Sequence, residues 1–270
     1  MPELPEVETV RAGLAPHISG RTVTHVEVLH PRAVRRHQGD FAEALRGRTL
    51  GEPQRRGKFL YIPLEAASAL FLHLGMSGQV RVGDAGHQHD RVVFTLDDTV
   101  RVRFVDQRTF GAVWIADDWQ TELGHIALDL FDPRLDLDAL ATQIASSGRE
   151  IKRVLLDQGV VSGIGNIYAD ESLWRAQAHY RATGVKLGKK RVKALLEAAK
   201  EVMAESLAAG GTSFDSLYVN AHGEPGYFTR SLAVYGREGQ PCPRCATAIK
   251  REPYLGRSSY LCPRCQRKPR

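Results

Sequence analysis

Residues 242–265 read Cys242-Pro-Arg-Cys245, sixteen further residues, then Cys262-Pro-Arg-Cys265, and they contain every cysteine of the chain. Two Cys-x2-Cys pairs at this spacing suit the tetrahedral thiolate set of a structural zinc site. The acidic start MPELPEVE has no apolar leader, so a reducing, cytoplasmic setting is expected, where thiols bind metal and do not form disulfides. One structural Zn2+ is therefore expected on Cys242, Cys245, Cys262 and Cys265. Residues 241–270 also carry eight Lys/Arg against one acid, Glu252, a surplus of +7 that leaves −1 for residues 1–240 of a chain with net charge +6. The basic excess belongs to a small C-terminal module, which points to a polyanionic partner.

Outward from that module, 270 residues are enough for two domains, and 43% hydrophobic with 25% charged residues is the make-up of an ordinary globular chain. No apolar run reaches the roughly 18 residues that span a bilayer. A helix is expected from Glu3 to about Leu14, with Pro5 tolerated in its first turn. From there to about residue 130 the chain reads mainly as strands. Residues 91–96 and 99–104 form a hairpin across Asp97-Asp98, and 70–82 and 111–116 are further strands. Residues 131–146, with a proline and alternating acids, read as a linker. Beyond them the period is helical: Ser147 and Glu150 suit a capping box, Ile151, Val154 and Leu155 an apolar face, and Gly159 a stop. Val192, Leu195, Leu196, Ala199 and Met203 mark a longer helix that ends at Gly210-Gly211.

Three local features carry chemistry. Removal of Met1 before a residue as small as proline would expose Pro2 as a secondary amine, and an α-amino group with a pKa of about 7.7–8.0 is partly neutral and nucleophilic at pH 7. Glu3 and Glu6 lie close enough to act as acid and base beside it, or simply favour a helix start. The stretch VSGIGNIYADE at 161–171 sets a glycine-rich turn before a helix, with Asn166 at the cap, where amides can point at phosphate or merely connect two helices. Arg149 and Lys152 on the preceding helix face the same phosphates or are solvated surface charges.

Several ordered motifs together resemble the formamidopyrimidine-DNA glycosylases, a branch of the helix-two-turns-helix DNA glycosylases. They are MPELPEVET at 1–9, GKFL at 57–60, HLGMSG at 73–78, the stretch 163–171, GEPGYF at 223–228, VYG at 234–236 and the four cysteines. The resemblance implies an α+β multidomain fold: an N-terminal β-sandwich flanked by helices over 1–130, the linker, a helix-two-turns-helix domain over 147–235, and a β-hairpin zinc finger over 236–270. It implies removal of 8-oxoguanine and ring-opened purines from double-stranded DNA, with Pro2 attacking C1′, Glu3 as general acid and Glu6 supporting them. Lys58, in a turn between strands, would donate a proton during β-elimination, and Arg257 would hold phosphate and serve δ-elimination. Met76, Arg108 and Phe110 match the residues that fill the gap left by an extruded base, and His73, His89 and Asn166 align with DNA-contacting positions. The chain is expected to act as a monomer.

One departure stands out. Asp106-Gln107-Arg108-Thr109-Phe110-Gly111 lacks the proline and the second basic residue usual in the family, which bears on loop stiffness and opposite-base preference. The related endonuclease VIII branch takes oxidised pyrimidines and usually begins Pro-Glu-Gly-Pro-Glu, whereas Leu4 stands here. A non-catalytic zinc-finger module would use the same basic tail, but would not require Pro2, Glu3 and Lys58 together.

Overall fold

A computed structural model describes residues 2–211 and 231–269, so the 223–228 motif lies outside the described residues. The chain forms two compact units that change over between His125 and Ile126. Residues 207–211 belong to the first unit, and the C-terminal segment with the cysteines belongs to the second.

The first unit opens with α1, Leu4–Ile18, which ends four residues later than expected. Val7, Val10, Leu14 and Ile18 recur at three- and four-residue intervals and are all buried. That stripe is the helix's contribution to the core. The strands are β1 Val23–Val28, β2 Gln54–Arg56, β3 Phe59–Pro63, β4 Ala69–His73, β5 Gln79–Val82, β6 Asp90–Leu96, β7 Val100–Val105 and β8 Ala112–Ala116. Short helices α2, Phe41–Leu45, and α3, Trp119–Glu122, lie between and after them. Two antiparallel four-stranded sheets result, ordered β1-β6-β7-β5 and β2-β3-β4-β8. Val26, Phe94 and Val102 from one share a core with Leu60, Leu72 and Val113 from the other, the side-chain interleaving of a β-sandwich. The expected β6–β7 hairpin forms with Leu96 opposite Val100, and Asp97 and Asp98 take the left-handed φ of 47° and 59° that such a turn needs.

The second unit carries α4 Leu137–Ala145, α5 Ile151–Leu155, α6 Asn166–Arg175 and α7 Gly184–Ala208, the last interrupted at Gly188, then the hairpin β9 Lys250–Tyr254 and β10 Arg257–Leu261. Residues 131–146 are not a linker. Asp136 caps α4 by accepting from the Ala139 amide at 2.9 Å, and α4 buries Leu140, Ala141 and Ile144. Of the acids in this stretch, Asp136 is its cap and Asp138 lies on its exposed face. The capping box expected from Ser147 and Glu150 is also absent: α5 gives its first amides, Ile151 and Lys152, to the carbonyls of Ala182 and Tyr180 at 2.7 and 3.2 Å. With those donors satisfied by a neighbouring turn, no side-chain cap is required. The helix ends at Leu155, and Gly159 lies in a turn closed by Asp157, which accepts its amide at 3.1 Å.

Candidate active site and nucleic-acid interface

Pro2 and Glu3 are buried at the start of α1, where Glu3 is the N-cap residue and Glu6 Oε2 accepts from the Glu3 amide at 2.9 Å. Glu6 therefore closes a capping box and fixes the backbone that carries Glu3. Gly211 returns to this point: a Cβ on it would sit 3.6 Å from the Glu6 carboxylate. A chain of bonds ties α1 to the turn that holds Lys58. Glu8 Oε2 accepts from Arg55 Nε at 2.8 Å, and Arg55 donates onward to the Gly57 carbonyl at 3.0 Å. Burial alone would raise the Glu8 carboxyl, but hydrogen bonds and charge from Arg11 and Arg55 hold it below the usual range, so the link is ionic at neutral pH. Lys58 is half-buried in that β2–β3 turn, as its sequence position requires.

His73 closes β4 and feels the same lysine. Burial, then the positive field of Lys58, Arg36 and Arg35, holds its imidazole down at about 4. It is neutral at pH 7, and because Nδ1 accepts from the Gly75 amide at 3.3 Å, the proton sits on Nε2 as a hydrogen-bond donor.

Met76, Arg108 and Phe110 emerge from two loops that are locked together. Met76 and Phe110 are 42% and 47% exposed, far above a core residue, and Arg108 is exposed beside them. Thr109 turns inward with a φ of 52°, which aims both of its neighbours outward. Asp106, fully buried, receives Ser77 Oγ at 2.5 Å, the Gly111 amide at 2.7 Å and the Arg108 amide at 3.2 Å. Gly75 and Gly111 permit the approach, since a Cβ on Gly75 would lie 2.6 Å from the Gly111 nitrogen. Arg35 adds bonds to the carbonyls of Gly111 and Phe110 at 2.7 and 3.0 Å. The stiffness that a proline would have supplied at position 107 comes from these bonds. His89, half-buried, borders the loop through its carbonyl, which accepts from the Asp106 amide at 3.0 Å.

In the second unit two expectations are corrected. Lys152 does not face phosphate: it is fully buried and paired to Asp170 at 2.7 Å, with the Ser258 carbonyl at 3.3 Å. Asn166 is not the cap of α6, which is Gly165, but its first helical residue, donating through Nδ2 to the Ser258 carbonyl at 2.9 Å. Arg149 is exposed and pairs with Asp157 at 2.8 Å. Arg257 stands exposed at the start of β10, next to the turn at Leu255 and Gly256.

Two further acids had no role assigned from sequence. Asp170 accepts from Ser259 Oγ at 3.0 Å and from the Tyr260 amide at 2.9 Å, which docks the Arg257 hairpin on α6. Burial pushes its carboxyl up to about 6, against the opposing pull of Lys152. Glu171 gathers the amides of Ala233, Val234 and Tyr235 at 2.8, 2.9 and 2.8 Å. Both lie in the 163–171 motif, but the backbone amides they accept from are 62 to 90 residues away, so only the folded chain shows what they hold.

The four cysteine sulfurs lie within 4.8 Å of one another, with Cys245 Sγ 3.4 Å from Cys262 Sγ and 3.5 Å from Cys265 Sγ. Thiolates about 2.3 Å from zinc in a tetrahedron are about 3.8 Å apart. The set fits one structural zinc, and Val234, Ile249 and Trp174 pack around it.

A β-sandwich carrying an N-terminal proline and glutamate, with a separate helical unit that ends in a thiolate finger, is the build of the helix-two-turns-helix DNA glycosylases. Residues 1–113 match the sequence model of the formamidopyrimidine-DNA glycosylase N-terminal domain, 126–217 that of its H2TH domain, and 239–267 that of the zinc finger found in FPG and IleRS. The chain belongs to the formamidopyrimidine-DNA glycosylase family. It is 52% identical to the formamidopyrimidine-DNA glycosylase of Streptomyces avermitilis, covering all of this chain and 99% of that one, and 50% identical to that of Mycolicibacterium gilvum over the whole of both. Among solved structures, it resembles the Lactococcus lactis Fpg in complex with abasic-site DNA, at TM-score 0.88 and 30% identity over 98% of this chain and 100% of that chain. It also resembles MutM in complex with DNA containing carbocyclic 8-oxo-G, at TM-score 0.89 and 30% identity over 99% of this chain and 100% of that chain. The helical model begins at 126, where the compact units also change over, and not after a linker ending at 146.

Proposed function

We propose that this chain excises oxidised purines, 8-oxoguanine and formamidopyrimidines, from double-stranded DNA as a monomer in the bacterial cytoplasm, and then cleaves the lesion strand by β,δ-elimination. The observation that carries this reading is the bond chain from α1 through Glu8 and Arg55 to Gly57, which supports a shared site for Pro2, Glu3 and Lys58. Once Met1 is removed, the Pro2 nitrogen lone pair forms a bond to C1′. The glycosidic bond breaks toward the base, and Glu3 supplies the proton that neutralises the sugar oxygen or the leaving base. The nitrogen gives up its proton to whichever of the two Glu3 has not protonated, and the sugar ring opens to an iminium, which acidifies the C2′ proton. Loss of that proton expels the 3′ phosphate, with Lys58 as proton donor, and a second elimination at a phosphate held by Arg257 expels the 5′ phosphate. Met76, Phe110 and Arg108 fill the space of the extruded nucleotide, the aromatic and thioether as wedges and the arginine on the unpaired base. His73, His89, Arg149 and Asn166 contact the backbone. Lys152 acts through the hairpin it anchors.

Borohydride trapping with an 8-oxoguanine duplex tests this. Processed protein is expected to give a covalent adduct at the Pro2 peptide by mass spectrometry, Pro2→Gly to lose it, and Glu3→Gln to bind the duplex but excise poorly. Normal excision by protein that retains Met1, or an adduct on a lysine only, would overturn the mechanism.

A further inference from the structure

At the cysteine end of the finger, wholly within the second unit, lies a pocket of about 510 Å³ that the lesion chemistry leaves unused. Arg191 of α7, Arg244, Arg264 and Arg267 line it with Gln177, Cys245 and Cys265, and no carboxylate among the described residues does. All four arginines are exposed. Two are braced without being neutralised. Arg191 donates to the Gln177 carbonyl at 3.3 Å, and Arg244 lies 4.3 Å over the Trp174 ring and donates to the carbonyls of Trp174 and Arg175 at 3.0 and 3.3 Å. Glu201 and Glu205 pair with Arg175, and Glu238 with Arg251.

Charge balance with the metal does not account for the cluster. Four thiolates on one Zn2+ carry a formal charge of −2, which offsets two guanidiniums and leaves two uncompensated. Such a concentration of planar, permanently charged donors is costly alone and suits phosphate oxygens, which guanidinium binds in a two-pronged fashion. The pocket is also separate from Arg257. Five residue steps along β10 separate Arg257 from Cys262, a span of about 17 Å at roughly 3.4 Å per residue. That exceeds the screening length of about 8 Å at physiological salt.

We propose that the arginine pocket at the cysteine end of the finger is a second phosphate site, which takes backbone phosphates of duplex DNA outside the stretch held by Arg257. The proposal rests on the DNA-binding reading above. A duplex presents backbone charge continuously, so flanking DNA can reach both points of the finger.

The test compares the parent with the combined Arg191→Gln, Arg264→Gln, Arg267→Gln protein, sparing Arg244 because it caps α6. Affinity for lesion duplexes of about 12 and 40 base pairs is measured by anisotropy across a KCl series, with each phosphate contact worth about 0.9 in the slope of log K against log salt. The variant is expected to lose about 2 to 3 from that slope on the long duplex and to bind it roughly tenfold more weakly, with zinc content, short-duplex binding and excision from the short duplex unchanged. An unchanged slope on the long duplex would overturn the proposal, as would equal losses on both lengths, which would place the pocket within the lesion footprint. Titration with inorganic tripolyphosphate separates the sources: uptake by the parent that the variant lacks, without any change on the long duplex, would assign the pocket to a free phosphate ligand. If the parent bound neither duplex, the DNA-binding reading itself would fail, and the tripolyphosphate arm would still report on the pocket.

Discussion

Asp106 is fully buried and receives three donors, from Ser77, Gly111 and Arg108. Hydrogen bonds to a charged acceptor are worth about 1.5–3 kcal/mol each, and a buried donor left unpaired costs a similar amount. In Asp106→Asn one oxygen becomes an amide that must face an amide hydrogen or force Ser77 to turn. The variant is expected to lose about 2 kcal/mol of stability in denaturant unfolding and to bind lesion DNA more weakly than the parent, because Met76, Arg108 and Phe110 are no longer held. Parent-like stability and binding would show that the loops are set by something else. The exposed members of this group were legible in the sequence, since motif position marks them. Ser77 and Asp106, which hold them, were not: they are 29 residues apart and meet only when the loops after β4 and β7 converge.

The Arg257 hairpin depends on α5 and α6 in the same way, through Lys152 and Asp170. Removing one member of a buried pair leaves a charge uncompensated and typically costs about 3–5 kcal/mol. Lys152→Met keeps the shape of the side chain and is expected to fall in that range, whereas Lys152→Met with Asp170→Asn should recover at least half, since the amide still accepts from Tyr260. Asp170 already titrates high in the folded state, near 6, against about 3.9 when unfolded. A raised carboxyl binds its proton more tightly when folded, so its contribution to stability is lost as pH rises through the folded value. Lys152→Met, with the opposing charge gone, should therefore become more stable as the pH is lowered toward 6. Equal losses for the single and double variants, or no pH response, would mean that the pair does not anchor the hairpin. Strand and helix periods in the sequence were enough for α1, the β6–β7 hairpin and most of α7. They failed at α4, where acids that cap a helix looked like a linker, and at Lys152, because periodicity cannot say which lysine finds a carboxylate inside the fold.

Each of the two compact units has apolar packing of its own, and the zinc cysteines contribute to that of the second alone. Apparent zinc-binding energies of about 10–16 kcal/mol in finger peptides are folding energy, because unfolded thiols form no site. Loss of the metal is therefore expected to release the hairpin, and with it Arg257 and the arginine pocket, while the β-sandwich keeps its sheets. In Cys245→Ala, amide exchange over residues 239–267 should approach that of an unfolded chain. Strands β3, β4, β6 and β7 should retain parent-like protection, and lesion affinity should fall at least a hundredfold. The same pattern should follow chelation of the parent and reverse when zinc is restored. A zinc-free protein, verified by metal analysis, that bound lesion DNA with parent affinity would remove the finger from the binding surface. Simultaneous loss of protection in sandwich and finger would show that the two units fold as one, so that the metal stabilises the whole chain and not the hairpin alone.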